Sequence, residues 1–575
     1  MRSLSARPYT FAMPRSRPEG NLTQAQDSGS PGDSAGTVVF CVQGADPEVQ
    51  AYAMAKYSRS ALSMKESLAD LDEQKAEQFL NTFYFQYGHR SIADLAHITM
   101  AIEHLSLLAA ITVVDEQRWD GQERSTRYQD FKKSGYFIPD FTLPGGAGVG
   151  ARNTESYGET AAFLFSEYEQ LSKDMFVYLA ASTPRPAEVK PEAYKRTLQA
   201  RAYDLARYLL PLATNTSLGQ IVNARTLETQ IARLLADSHA EVRSLGARLK
   251  ASAQRAAYNV KHQAWRELTE AITAKDEALG ALAAKQLLRE APVAPTLVKY
   301  AEASDYQMET RRELRQAAGE LMRGAEIQPA DAVALLEPES IESELACTLL
   351  YQHCHYPYAQ IRARVDALSS AERDEIISLG ARHRGQHDEL LRAFCVGQSF
   401  RFDILMDIGA YRDLHRHRRC TQIAQEFTTA HGFEMPAEMA AANLSGRFTA
   451  AMDRAESAAY TLHAALSRRG ESAEKPRPRR EGSGAVRAVA PSGVEGDLVP
   501  EAQYLIPLAF RKRALFKMDL AEVVYITELR TSPAGHWSYR NVAWQMYQAV
   551  ANRHPSLAPY FRVHDVGQPV DLLKR

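Results

Sequence analysis

Two hydrophobic periods alternate along this chain. In "SFRFDILMD" (399–407), Phe400, Phe402, Ile404 and Met406 fall at every second position, which predicts a half-buried strand. Residues 408–418 then switch to a helical period. The same succession stands earlier, with "HITMAIE" (97–103) as a strand and "SLLAAITVVDE" (106–116) as the helix after it. Longer helical patterns predict helices over 155–181, 192–210 and 227–260, and through the region up to about residue 325. Small antiparallel sheets among many helices make an α+β fold.

The pattern also repeats. "YLLPLA" from Tyr208 returns as "YLIPLA" from Tyr504, with one aliphatic swap. "NTFYFQYGHRSIAD" from Asn81 corresponds to "CTLLYQHCHYPYAQ" from Cys347, sharing a Thr, a Gln, a His and an Ala in register. Two matches in the same order imply a tandem duplication, with about 30 extra residues in the second copy between them. The helical, charged stretch 361–398 is where those residues are expected. The expected organisation is a disordered tail (1–37), a first repeat (38–260), a helical connector (261–329) and a second repeat (330–575). The second repeat carries a disordered Pro/Gly/Ser/Arg-rich insertion at 468–500.

Composition narrows the function. A chain of 575 residues exceeds one ordinary core. Its 68 Lys+Arg against 70 Asp+Glu exclude a protein that lives on nucleic-acid phosphate neutralisation. Five cysteines without CxxC spacing fit a reducing compartment, so a cytoplasmic location is expected. The longest nearly apolar run, 105–114, is about half of a membrane span. The tail lacks the apolar region of a secretory signal.

Against that neutral background, "DLHRHRRCTQ" (413–422) sets His415, Arg416, His417, Arg418 and Arg419 in an unbroken basic row. Guanidinium forks suit phosphate and other electron-rich anions. A solvated basic helix end, favourable against the helix dipole, is the plainer alternative. In "GQERSTRYQDF", Glu123, Ser125 and Arg127 recur with period two, on one side of an extended segment: a hydroxyl and a guanidinium for phosphate, a carboxylate for a base N–H. Arg207 precedes a buried-looking "YLLPL" and is a second candidate phosphate contact. His353, His355, His415 and His417 offer four metal-ligand nitrogens, but no HExxH or Cys pair accompanies them, and no metal is expected. No nucleophilic triad, P-loop or post-strand GxGxxG is present.

These motifs, in their order, resemble the flavin-dependent thymidylate synthases. That family carries R-H-R followed by E-x-S-x-R-Y. Here Arg416-His417-Arg418 stand in the second copy and Glu123 to Tyr128 in the first. Gly88-His89-Arg90-Ser91, Arg207 with Pro211, Asn223 with Arg225, and Arg530 with Trp537 resemble further family segments. The resemblance implies reductive methylation of dUMP to dTMP, with FAD as cofactor and methylenetetrahydrofolate and NADPH as co-substrates. It implies cofactor contacts at Arg416, His417, Arg418, His89, Ser91, Asn223 and Arg225. Substrate contacts are implied at Glu123, Ser125, Arg127, Arg207 and Arg530, with no catalytic protein nucleophile. Each copy lacks what the other holds. The R-H-R positions of the first copy read Asp115-Glu116-Gln117, and the E-x-S-x-R-Y positions of the second fall near Glu426 to Ala430. The family assembles sites between subunits of a tetramer, so the resemblance implies one composite site between the copies and a homodimer forming a pseudo-tetramer. A flavin enzyme for another pyrimidine nucleotide and a non-catalytic nucleotide- or flavin-binding relative remain the alternatives.

Overall fold

The computed structural model describes residues 44–56, 90–141, 147–385, 388, 390–473 and 497–568. The chain divides into two units, Met1–Ala45 and Asp46–Arg575, and every element below belongs to the second. The expected tail, His89 and residues 474–496 lie outside the described residues. The two ends of the expected 468–500 insertion are structured. The helix Ser445–Ala473 runs into it, and Leu498 is buried at its far end. Among the described residues, no helix is long and apolar enough to cross a membrane.

Two small antiparallel sheets carry the fold. β1 (His97–Ser106), β2 (Asp120–Glu123) and β3 (Asn215–Asn223) form one, in the order β1-β3-β2. β4 (Val333–Leu335), β5 (Phe400–Asp407), β6 (Thr421–Ala424) and β7 (Arg511–Met518) form the other, in the order β4-β5-β7-β6. The second sheet is the first with one added edge strand, as a duplication requires.

Equivalent chemistry starts equivalent helices. Ser106 caps Leu107–Val113 by accepting from Ala109 N–H, and Asp407 caps Ile408–Leu414 by accepting from Ala410 N–H. Asn223 and Asp519 cap Ala224–Leu235 and Leu520–Thr531 in the same way. One contact survives with its partners exchanged: Ser106 Oγ donates to Glu241 (2.6 Å) in the first copy, and Ser538 Oγ donates to Asp407 in the second.

The copies face each other across a local two-fold. Leu212 N–H donates to the Ile506 carbonyl (2.9 Å) and Leu508 N–H to that of Leu210 (3.0 Å). Ala213 donates to Tyr504 (2.8 Å) and Ala509 to Tyr208 (3.1 Å). Exchanging the copies turns each bond into the other. The two near-identical segments thus pair with one another, inside a hydrophobic core shared by both repeats. Tyr208 packs on His536 and Tyr504 on His239, at ring separations of 5.5 and 5.8 Å. Burial of whole side chains across this seam makes the repeats one body rather than two beads.

Several expected elements differ in extent. The helix expected to reach 418 ends at Leu414. The one expected over 227–260 is two, Ala224–Leu235 and Ala240–Ala253, parted where the Asp237 side chain accepts from His239 N–H. The helix expected to reach 210 ends at Ala206 and tightens into the 3-10 turn Arg207–Leu209. β5 is buried on both faces, not one. The helices Ile341–Tyr351 and Tyr358–Asp366 cover its second face. There Asp403 accepts from Arg513 (3.0 Å), Tyr351 Oη (2.5 Å) and Tyr358 N–H (2.9 Å), while Arg401 pairs with Glu339 and Glu344. Alternation marked only the apolar face, because these charges read as solvent-facing until their partners are known.

Candidate functional site

The basic row is a turn between a helix and a strand, not a helix end. After Leu414 the chain closes with His417 N–H on the Leu414 carbonyl (3.1 Å) and enters β6 at Thr421. Both histidines are buried and pinned. His415 Nδ1 lies 2.9 Å from Gln422 Oε1, and His417 Nε2 accepts from Arg530 Nε (2.8 Å). Arg418 donates to the His415 carbonyl (2.9 Å) and lies 5.0 Å over the Trp119 ring. Arg416 is left exposed.

A cavity of about 270 Å³ opens beside this turn, and both copies build it. Trp119 and β2, including Glu123, come from the first copy, with Arg412, His415, Arg416 and Arg418 from the second. Arg412 donates to Glu123 and to Thr126 Oγ1 (3.3 Å), and its buried Nε has no partner. Sequence reasoning missed Arg412, which stands one residue before the quoted row, on the helix Ile408–Leu414.

Behind the cavity, Arg127 and Arg207 pair with Asp204 and Asp413, with Arg530 and Arg416 close enough to act on Asp413. Arg127 grips Asp204 with two parallel bonds, Nε to Oδ1 (3.0 Å) and Nη2 to Oδ2 (3.2 Å), and donates Nη1 to Tyr539 Oη (3.1 Å). Arg207 reaches Asp204 and Asp413, each at 3.5 Å, and its buried Nε makes no hydrogen bond. Arg530 and Arg127 lie over the same Tyr539 ring, at 5.4 and 5.6 Å. Burial would raise the Asp413 carboxyl, but Arg207, Arg127, Arg416 and Arg530 together hold it below the usual range. Two of these arginines belong to each copy, so the fold joins within one chain what the sequence divided between the repeats.

Other expected placements differ. Ser125 and Arg127 stand on a turn after β2 rather than an extended segment, because Ser125 Oγ accepts from Arg127 N–H (3.2 Å). Asn223 caps its helix and Arg225 pairs with Asp94 (3.4 Å); neither lines the cavity. Ser91 sits in the 3-10 helix Arg90–Leu95. Sequence reasoning gave no role to Asp204, three residues before Arg207, or to Asp413, the first residue of the quoted row.

The symmetry-related position is closed. Ala424 stands opposite Ala514 as Glu123 stands opposite Leu218, so Ala424, not Glu426, is the counterpart of Glu123. Arg392, from the stretch expected to hold the extra residues, donates to Asp115 through Oδ1 (2.5 Å) and the carbonyl (3.1 Å). Arg233 holds Glu116 (2.9 Å), and Arg315 from the connector holds Glu426 and Asp497. About 10 Å³ of space remains beside Asp115, against the open cavity of its twin. Half-buried acids here meet the chain's own arginines, leaving no surplus charge for an anion.

Among the described residues, no group of His, Cys, Asp or Glu is arranged to hold a metal. The buried imidazoles have a different consequence. Burial lowers His415 to about 4 and His353, His431 and His536 to about 3, from 6.5. The unfolded chain therefore takes protons that the fold refuses, so stability is complete above pH 6.5 and falls as pH drops toward 4. Asp407, raised by burial to about 6, acts in the opposite sense, giving stability below 3.8 that is lost as pH rises through 6. Burial also lowers His417 and raises Glu116, Glu241 and Glu339, but between pH 5 and 7.5 the imidazoles, whose unfolded value of 6.5 lies inside that window, set the direction, so urea denaturation should show lower stability at pH 5 than at 7.5. Equal midpoints would contradict the buried neutral state.

The fold and this divided site define a pair of flavin-dependent thymidylate synthase-like domains fused in one chain. The family model for thymidylate synthase complementing protein matches twice, over residues 39–257 and 342–556, and the chain belongs to that family. A UPF0159 protein of Chlamydia muridarum is 27% identical over 570 residues, 92% of each chain. A flavin-dependent thymidylate synthase of Clostridium tetani is 27% identical over 182 residues, 32% of this chain and 67% of that one. A Helicobacter pylori flavin-dependent thymidylate synthase solved with FAD and dUMP overlays with a TM-score of 0.24 at 15% identity, over 38% of this chain and 92% of that one.

Proposed function

We propose that this protein converts dUMP to dTMP by reductive methylation, using methylenetetrahydrofolate, FAD and NADPH. The observation that carries this reading is the meeting of Arg127 and Arg207 with Arg416 and Arg530 beside a cavity that both copies line. Six guanidiniums there (Arg127, Arg207, Arg412, Arg416, Arg418 and Arg530) face four carboxylates (Asp120, Glu123, Asp204 and Asp413), a surplus suited to an anion. The buried Nε of Arg412, which makes no hydrogen bond, is a donor that such a ligand would satisfy.

Arg127 and Arg207 would hold the nucleotide phosphate, and Glu123, kept in place by Arg412, would accept from the base. Arg416 and Arg418 would meet the anionic edge of the flavin, with Trp119 as an apolar face beside it, and Arg416 would also face the nucleotide phosphate together with Arg530. His89, Ser91, Asn223 and Arg225 are proposed as further cofactor contacts. The flavin, when bound, supplies the hydride chemistry, so the chain needs no nucleophile of its own. The protein's share is positioning and fixed charge.

Purified protein supplied with all four small molecules should form dTMP and hold one flavin per chain. Light scattering should give twice the chain mass, because family assemblies comprise four domains. Protein that cannot be reconstituted with FAD would sink the enzyme reading. Two flavins per chain would refute the closed twin. A second reading, a nucleotide-binding relative without turnover, is favoured by Asp204 and Asp413, which already engage the arginines. dUMP binding without dTMP formation would select it.

A further inference from the structure

We propose that Asp413 sets the charge of the arginine cluster so that the site takes a phosphomonoester in preference to a diphosphate or triphosphate. This rests on reading the cluster as the phosphate end of a nucleotide site.

The geometry isolates Asp413 as the adjustable charge. Asp204 is consumed structurally: both its oxygens accept from Arg127, and Arg207 lies 3.5 Å away. Asp413 has a single 3.5 Å contact, to Arg207 Nη2, and its side chain keeps 16% of its surface accessible. It lies on the last turn of Ile408–Leu414, three residues before Arg416. Nothing in helix capping requires a carboxylate there. An acid near a helix C-terminus opposes the dipole, so its placement needs another cause. The matching position in the first copy, where no arginine cluster forms, is Thr112, a neutral residue whose hydroxyl bonds back to Leu108 O (3.0 Å).

The charge arithmetic gives that cause. Arg127, Arg207, Arg416 and Arg530 carry four positive charges, and Asp204 and Asp413 cancel two. The remaining two match a phosphomonoester, which carries about −1.5 to −2 near neutral pH. Without Asp413 the surplus would be three, closer to the charge of a diphosphate. With Arg127 and Arg207 buried and Arg530 half-buried, screening is weakened, and a mismatch of one charge at contact distance is worth a large factor in affinity. Asp413 thus acts as a specificity-determining residue through the field of its neighbours.

The test is calorimetric titration of the full chain with inorganic phosphate, pyrophosphate, dUMP and dUDP. Wild-type protein should prefer phosphate to pyrophosphate and dUMP to dUDP. Asp413→Asn should shift both preferences toward the diphosphate by about tenfold. Asp413→Glu, which keeps the charge, should retain the wild-type ratio. If the asparagine variant does not fold, Asp413→Thr replaces it, since threonine occupies the equivalent position of the first copy. A merely structural role would weaken all four ligands by one factor and leave the ratios unchanged, which overturns the proposal. Wild-type protein that prefers pyrophosphate, or binds no phosphate, overturns it too. Intact selectivity without dTMP formation would refute the enzyme reading and leave this one standing.

Discussion

Arg416→Ala combined with Arg418→Ala is expected to yield folded protein that has lost its flavin. Arg416 is exposed on the turn after Leu414, so its removal strands no buried partner. Arg418 gives up one hydrogen bond to the His415 carbonyl and its place over Trp119. The indole remains anchored by its own bond to Gln220 (2.8 Å). Each lost charge-assisted contact is worth about 1.5–3 kcal/mol, so the pair should weaken FAD binding by roughly two to four orders of magnitude. Arg419→Ala is the internal control. It belongs to the same basic row, yet its side chain is 65% accessible and its partners are Asp519 and Glu522, away from the cavity. Absorbance of the purified variants and titration with FAD read the result. Wild-type affinity in the double variant would show that the row is a solvated surface feature.

Asp403→Ala should destabilise the chain by about 3–5 kcal/mol, without touching the cavity. Asp403 on β5 neutralises the buried Arg513 of β7 and accepts from Tyr351 and Tyr358 on the helices that cover the sheet. Removing it leaves a guanidinium in the core with its counter-ion gone, and two further donors without an acceptor. Breaking one partner of such a pair costs more than the pair itself contributes, because desolvation of the survivor is no longer offset. Urea denaturation at pH 7.5 measures the change. A loss below about 1 kcal/mol would mean that water reaches Arg513 and that this face of the sheet is not sealed.

Local periodicity and self-similarity were sufficient for the duplication and for the first strand and helix of each copy, but not for β2, β3, β4, β6 and β7. The strands beginning at His97 and Phe400 and the likeness of the Tyr208 and Tyr504 segments are consequences of short-range pattern, which a linear chain displays directly; that those two segments bond to each other was decided by the tertiary fold. The reciprocal gaps were legible for the same reason: Asp115 and Glu116 stand where Arg416 and His417 stand in the other copy. Counter-charges were not legible, because they come from far along the chain. Asp204 meets Arg127 from 77 residues away, Arg412 meets Glu123 from 289, and Arg392 meets Asp115 from 277. An arginine in a sequence advertises an anion but not which one. Only the two-fold packing of the repeats decided that one quartet of arginines would gather beside an open cavity, and that the twin position would be filled by the chain's own bases. Ion pairing depends on distance in space and on exclusion of water, and both are set by the tertiary fold.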